Sequence, residues 1–379
     1  MLMKIKQDYV SDQFHQVYFT FSAREMDEII QDVLAAHGLS EREAKRKKKY
    51  ISELVMEKIE EEIIEREIMN LDVIPIYGRK FRYLTRIHPG NPLLVICQFC
   101  ILPSDLKIDF PPKIPKKILE MSHVPETVRT IVRQILIENG EYAYKNGEVA
   151  KKGSIVICDI VYKRDDYVIS EIENQEINLN NVDQPECALF LNSKVGDEIV
   201  LDDETSVTVV AKVKEIKNLA VNRLTDAIVK KLNFLNTKTV LEFNKKISDI
   251  ITFSGTIVVL LNYLAEYALE SGSIEFDEYV LDFFMGNEFA PNGKKERDRY
   301  LEEVKRDLAK EYIIWLINLN NSNIDPAYMD RIYEEYELDK MLFNNPMRID
   351  GYQEFINRHA FEARVLQYCI DNKIIDKTN

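Results

Sequence analysis

Glycine is scarce, at 12 residues in 379, and neither GxGxxG nor GxxxxGK[ST] occurs. The backbone cradles that usually hold a dinucleotide or a triphosphate are therefore missing, and nothing supports ATP-driven action. Histidine is as sparse: His15, His37, His88, His123 and His359 stand apart, with no HExxH and no serine or cysteine in a recognisable nucleophile motif. The five cysteines, Cys97, Cys100, Cys158, Cys187 and Cys369, are odd in number and scattered, which excludes a disulfide framework and predicts reduced thiols. Cys97-Gln-Phe-Cys100 has the spacing of a zinc half-site or redox pair, but it falls in a predicted strand, where residues three apart point to opposite faces. No second pair completes four ligands. No catalytic residue, cofactor or metal is expected.

Long apolar runs are missing too. Ile257–Leu261 is the longest suspicious one, and Asn262 and Glu266 end it far short of the ~20 residues of a membrane span, so a buried helix is predicted. Met1–Val10 carries charges without an apolar stretch, from which a cytoplasmic protein without a secretory signal is expected. Positive charge is in deficit: the net charge is −14, which argues against general binding to DNA or to an anionic membrane. The deficit is uneven, with 17 basic and 18 acidic residues in 1–115 but 20 and 27 in 218–379.

What is present is a folded composition, 46% hydrophobic and 30% charged, in a chain long enough for two to four modules. His15–Ser22 alternates as a strand, and Ala23–Ala36 reads as a helix capped by Ser22. Ser40 followed by Glu43 opens a second helix to about Met69. Its first turns hold Arg42, Lys45, Arg46, Lys47, Lys48 and Lys49, which oppose the helix dipole and point to an anionic partner or to a solvated face. Strands follow around Val73–Ile76 and Leu93–Leu102, with His88–Pro92 as the turn between them.

Prolines 103, 111, 112 and 115 mark a connector, and Pro125–Glu138 is a helix ending at Asn139-Gly140. From Gly153 the pattern becomes strands, at Ser154–Tyr162, Glu198–Leu201 and Ser206–Ile216. After Lys217 it is helical, near 223–233, 237–270, 276–286, 294–319, 326–343 and 350–372. These helices are rich in Met and aromatic side chains, which suit either a core or an adaptable binding surface. Phe283, Phe284, Met285, Trp315, Met341 and Phe343 are the candidates for such a surface.

This order of parts resembles bacterial trigger factor. The likeness is clearest in VPETVRTIVRQILIENGEYAYKNGEVAKKGSIVICDIVYK (124–163) and in KVGDEIVLDDETSVTVVAKVKEIKNLAVNRLTDAIVKKLNFLNTKTVLEFNKKI (194–247). The resemblance implies an α+β multidomain fold: a ribosome-binding-like αβ module (1–115), a connector with a helix (116–150), a shortened FKBP-type prolyl isomerase module (151–217) and a helical chaperone domain with arms (218–379). It implies an ATP-independent chaperone for unfolded or nascent polypeptides, with a homodimer as its expected assembly. The alternatives are an active prolyl isomerase and an assembly scaffold for one partner.

Two departures from the family matter. Its Gly-Phe-Arg-x-Gly-Lys ribosome-docking signature is missing, and Arg42 with Lys45–Lys49 stands in its place, as a substitute contact to ribosomal RNA. The centre of the isomerase module is reduced to a polar stretch, Asp165–Glu186. Tyr162, Tyr167 and Phe190 are too few to wall a proline pocket, so no isomerase activity is expected.

Overall fold

The computed structural model describes residues 4–119, 124–164, 167–179, 185–202, 207–285, 294–321, 323–343 and 352–375. The fold is mixed α+β, with two antiparallel sheets and long helices toward the C-terminal end. The chain divides into two compact units: 1–121, 254–332 and 354–379 form the first, 122–253 and 333–353 the second.

In the first unit, β1 (Lys4–Tyr9), β2 (Phe14–Phe21), β3 (Pro75–Tyr83) and β4 (Leu93–Ile101) make a sheet in the order β1-β2-β4-β3. Val17, Phe19 and Phe21 of β2 and Val95, Cys97 and Phe99 of β4 point to one face, where they bury Met26, Ile29, Ile30 and Val33 of α1 (Ala23–Ala36). The second helical stretch adds Ile51, Val55, Ile59 and Ile63 to the same core. The other face of the sheet is buried as well, because Phe14 packs edge-on against Phe283 of α10 (Glu278–Met285), ring centroids 5.3 Å apart. That is why β4 reads LLVICQFCI, almost without alternation.

Both predicted caps form complete boxes: Ser22 with Glu25, and Ser40 with Glu43. The second helix is not one rod. It runs as α2 (Glu41–Arg46), α3 (Lys48–Glu57), a π-helical stretch (Lys58–Ile64) and α4 (Glu65–Met69), with Lys47 out of helical geometry at φ −108°, ψ 39°. Strand β1 and the long extent of β3 go beyond the expected elements, since KIKQDY has no apolar alternation to reveal it. Two helices follow the proline connector, the four-residue α5 (Lys116–Leu119) in the first unit and the 15-residue α6 (Val124–Glu138) in the second.

In the second unit, β5 (Tyr142–Asn146), β6 (Ile155–Arg164), β7 (Tyr167–Asn178), β8 (Glu198–Asp202) and β9 (Thr208–Val221) form one antiparallel sheet. β9 has β6 on one side and both β5 and β8 on the other, while β7 is an edge. Its core joins Val156, Cys158, Val213 and Ile216 to Leu179 and to Phe190, which follows the short helix α7 (Pro185–Ala188). A second core packs Val128 and Ile135 of α6 with Val229 of α8 (Asp226–Leu232), and with Phe243, Ile247 and Ile250. β7 corrects the expectation of a polar stretch over Asp165–Glu186: it has 12 residues, and its solvent exposure hid it, while β5 adds a strand within the expected connector.

The remaining helices are α9 (Val240–Glu270), α11 (Lys294–Asn320), α12 (Pro326–Phe343) and α13 (Tyr352–Asp371). By length and composition α9 is long and apolar enough to cross a membrane. Its buried residues, Phe243, Ile247, Ile250, Ile257, Leu260, Leu261, Leu264, Ala265 and Ala268, recur at the three-and-four spacing of a helix packed on one face.

Candidate functional site

The basic cluster is a surface. Arg42, Arg46, Lys47, Lys48 and Lys49 are all exposed, while the side chain of Lys45 lies outside the described residues. Among the described residues only Lys49 of this group has an ion pair, to Glu53 at 3.9 Å with both partners exposed, so little of the positive charge is neutralised locally. Glu43 lies nearby, but its carboxylate accepts from the Ser40 N–H (2.9 Å) and the Ser40 hydroxyl (2.6 Å). Those hydrogen bonds hold its pKa below the ordinary carboxylate value.

The apolar candidates separate on folding. Phe283 and Met285 are each 7% exposed and belong to the core, so neither presents a surface as folded here. Lys80 lies over the Phe283 ring, 4.5 Å from its centroid, and its ammonium donates to the Phe283 carbonyl. Phe284, half-buried, stacks edge-on against Phe283 at 5.0 Å. Trp315 is half-buried against Phe361, centroids 5.6 Å apart, and Met341 is packed partly against the α6–α9 core. The Phe343 side chain lies outside the described residues.

The apolar surface that does face solvent is elsewhere. Leu241 (80% exposed) and Val258 (55%) on α9, Tyr279 (56%) on α10 and Leu319 (52%) on α11 were not separable from core residues by pattern. Leu319 and Leu316 line an open cleft of about 760 Å³ within the first unit, together with Leu71, Val73, Ile74, Pro103 and Leu106. Asp12, Asp72 and Asp105 also line it, and none of its lining residues is basic.

The two cysteines of the CxxC pair face opposite ways. Cys97 lies in the helix-facing core and Cys100 near Tyr312 and Asp277, and burial pushes each thiol up to about 12. They cannot chelate one ion. Among the described residues no group of three or more His, Cys, Asp or Glu is placed to hold a metal. The isomerase candidates do not converge either: Phe190 is buried in the sheet core, whereas Tyr167 is 80% exposed.

No family model matches the chain, and no curated protein matches it. Among solved structures it is similar to one of the trigger factor chaperone, studied for promiscuous substrate recognition in folding and assembly activities, at 14% identity and a TM-score of 0.29, over 96% of this chain and 99% of that one.

Proposed function

We propose that the protein is an ATP-independent chaperone that holds unfolded or nascent polypeptide on open apolar surface, without prolyl isomerase activity. The observation that supports this most is the cleft of about 760 Å³ that Leu316 and Leu319 line together with Leu71, Val73 and Ile74. Apolar burial is worth about 25 cal/mol per Å², and much of it is offset by the ordering of the bound chain. Each contact is therefore weak, and a client bound by several of them exchanges without an energy source.

A prolyl isomerase needs a desolvated apolar pocket around the twisted imide. Tyr167, at 80% exposure, cannot supply a dry wall. A proline-limited refolding reaction is expected to run at its uncatalysed rate in the presence of the protein, and strong acceleration would overturn this part of the reading.

Nascent chains are met where they emerge, and the exposed Arg42, Arg46, Lys47, Lys48 and Lys49 offer a contact to the phosphates of ribosomal RNA. The holding function is tested by diluting denatured, unrelated clients into the protein without nucleotide. Suppressed aggregation of several clients supports the general chaperone, whereas suppression of none removes it.

A further inference from the structure

We infer that the basic surface takes RNA through an unpaired base that stacks on Tyr50, an assignment that rests on the RNA contact proposed above and narrows it. The joint between α2 and α3 is where this begins. Ala44, Ile51 and Val55 pack on the core of the first unit. In an unbroken helix the face that joins Ala44 to Ile51 passes through positions 47 and 48, which would set two lysines against apolar side chains. No proline or glycine occurs in 41–57 to interrupt the helix. Lys47 nevertheless leaves helical geometry, at φ −108° and ψ 39°, and all five residues from Arg46 to Tyr50 are exposed. A helix with one buried face cannot turn five consecutive residues to water, because they point in every direction around its axis. The joint achieves it.

What the joint presents is a run of cations followed directly by an aromatic ring. Tyr50 is 46% exposed, and no hydrogen bond, ring contact or ion pair of its side chain is found among the described residues. A single exposed tyrosine is unremarkable by itself. This one adjoins Arg46, Lys47, Lys48 and Lys49, all exposed. The carboxylates of Glu43 and Glu53 are engaged, the first by the Ser40 N–H and hydroxyl, the second by Lys49 at 3.9 Å.

Charge alone does not choose among nucleic acids, since Lys and Arg neutralise the phosphates of single and double strands alike. The ring does. A duplex keeps its bases stacked inside, out of reach of a surface phenol, whereas a loop, bulge or free end offers both phosphates and the face of a base. Stacking on an aromatic side chain tolerates every base, so the ligand is a single-stranded RNA segment of no particular sequence. A polyanion without rings supplies the charge and leaves Tyr50 unused.

The test measures binding of three labelled probes to the full chain at one low salt concentration. They are an oligouridylate of about ten nucleotides, within the span that single-stranded sites cover, an RNA duplex with as many phosphates, and polyglutamate with as many charges. Tyr50→Ala is expected to weaken the oligouridylate about fivefold or more, the low end of what one base–aromatic stack contributes, and to leave the duplex and polyglutamate unchanged. Unchanged duplex binding also shows that the variant is folded. Tyr50→Phe is expected to keep the affinity of the parent chain, and Lys47→Glu/Lys48→Glu to weaken all three probes. A Tyr50→Ala chain that loses all three equally, or none, overturns the inference, as does an equal loss in Tyr50→Phe. In those cases the RNA contact stands as long as the lysine variant weakens RNA binding. A parent chain that binds neither RNA overturns both.

Discussion

Arg358 of α13 grips Glu311 of α11 with two parallel hydrogen bonds, Nη1 to Oε2 at 2.8 Å and Nη2 to Oε1 at 2.6 Å. Its Nε also donates to Glu362 on its own helix, at 2.7 Å. The hydrogen bond to Glu311, more than any other contact, holds the guanidinium pKa above its ordinary value. Helices that the chain separates by all of α12 are locked by this fork.

The two ends of the pair are not equivalent, since Glu311 is 6% exposed and the Arg358 side chain 43%. Arg358→Ala strands a buried carboxylate and is expected to cost about 3 kcal/mol, whereas Glu311→Ala leaves a cation that reaches water and costs about 1–2 kcal/mol. Urea unfolding of both variants checks the order. An equal or reversed loss contradicts it.

All five cysteines are buried. Burial pushes the thiols of Cys97, Cys100 and Cys369 up to about 12, so the thiolate that reacts is nearly absent at pH 8. A disulfide reagent is expected to label none of the five within minutes in the native protein and all of them in guanidinium. Fast labelling of the native chain at Cys97 or Cys100 contradicts the packing of β4.

His15 is fully buried, its ring 5.5 Å from that of Phe99. Burial lowers its pKa, and Asp8 only partly opposes this. The folded state therefore takes up the proton less readily than the unfolded one. Above the unfolded value of about 6.5 the group has no effect, and as pH falls below it stability drops, by up to about 1.4 kcal/mol per pH unit, until the folded group titrates too. His15→Gln is expected to reduce the loss of stability between pH 7 and pH 5, measured by urea unfolding. An unchanged loss contradicts the assignment.

The basic surface makes a prediction about salt. If Arg42, Arg46, Lys47, Lys48 and Lys49 contact phosphates, affinity for ribosomes falls with a log–log salt slope of about −4. Lys47→Glu/Lys48→Glu/Lys49→Glu is expected to abolish co-sedimentation at low salt while leaving client holding intact. Co-sedimentation that ignores both salt and the substitutions removes the contact.

The sequence was most legible where one physical cause acted alone. Ser22 as a cap and Ser40 with Glu43 as a capping box marked two helix starts, because a cap needs only neighbouring residues. The run LLVICQFCI gave β4, because both its faces are covered. β7 stayed hidden because its bulges break the period of two and its exposure removes the apolar signal. Phe283 and Tyr279 looked alike in sequence, and only contact with Phe14 and Lys80 places the first in the core while the second is left in water. The candidate cleft was illegible for a related reason: Leu316 and Leu319 meet Leu71 and Val73 across more than 200 residues of chain.

The most direct test of the central claim is light scattering of several denatured clients diluted into stoichiometric protein without ATP. The account predicts suppressed aggregation for clients of unrelated sequence, weakened when Leu316 and Leu319 are both changed to Ser. Scattering that rises as fast with the protein as without it, for every client, contradicts it.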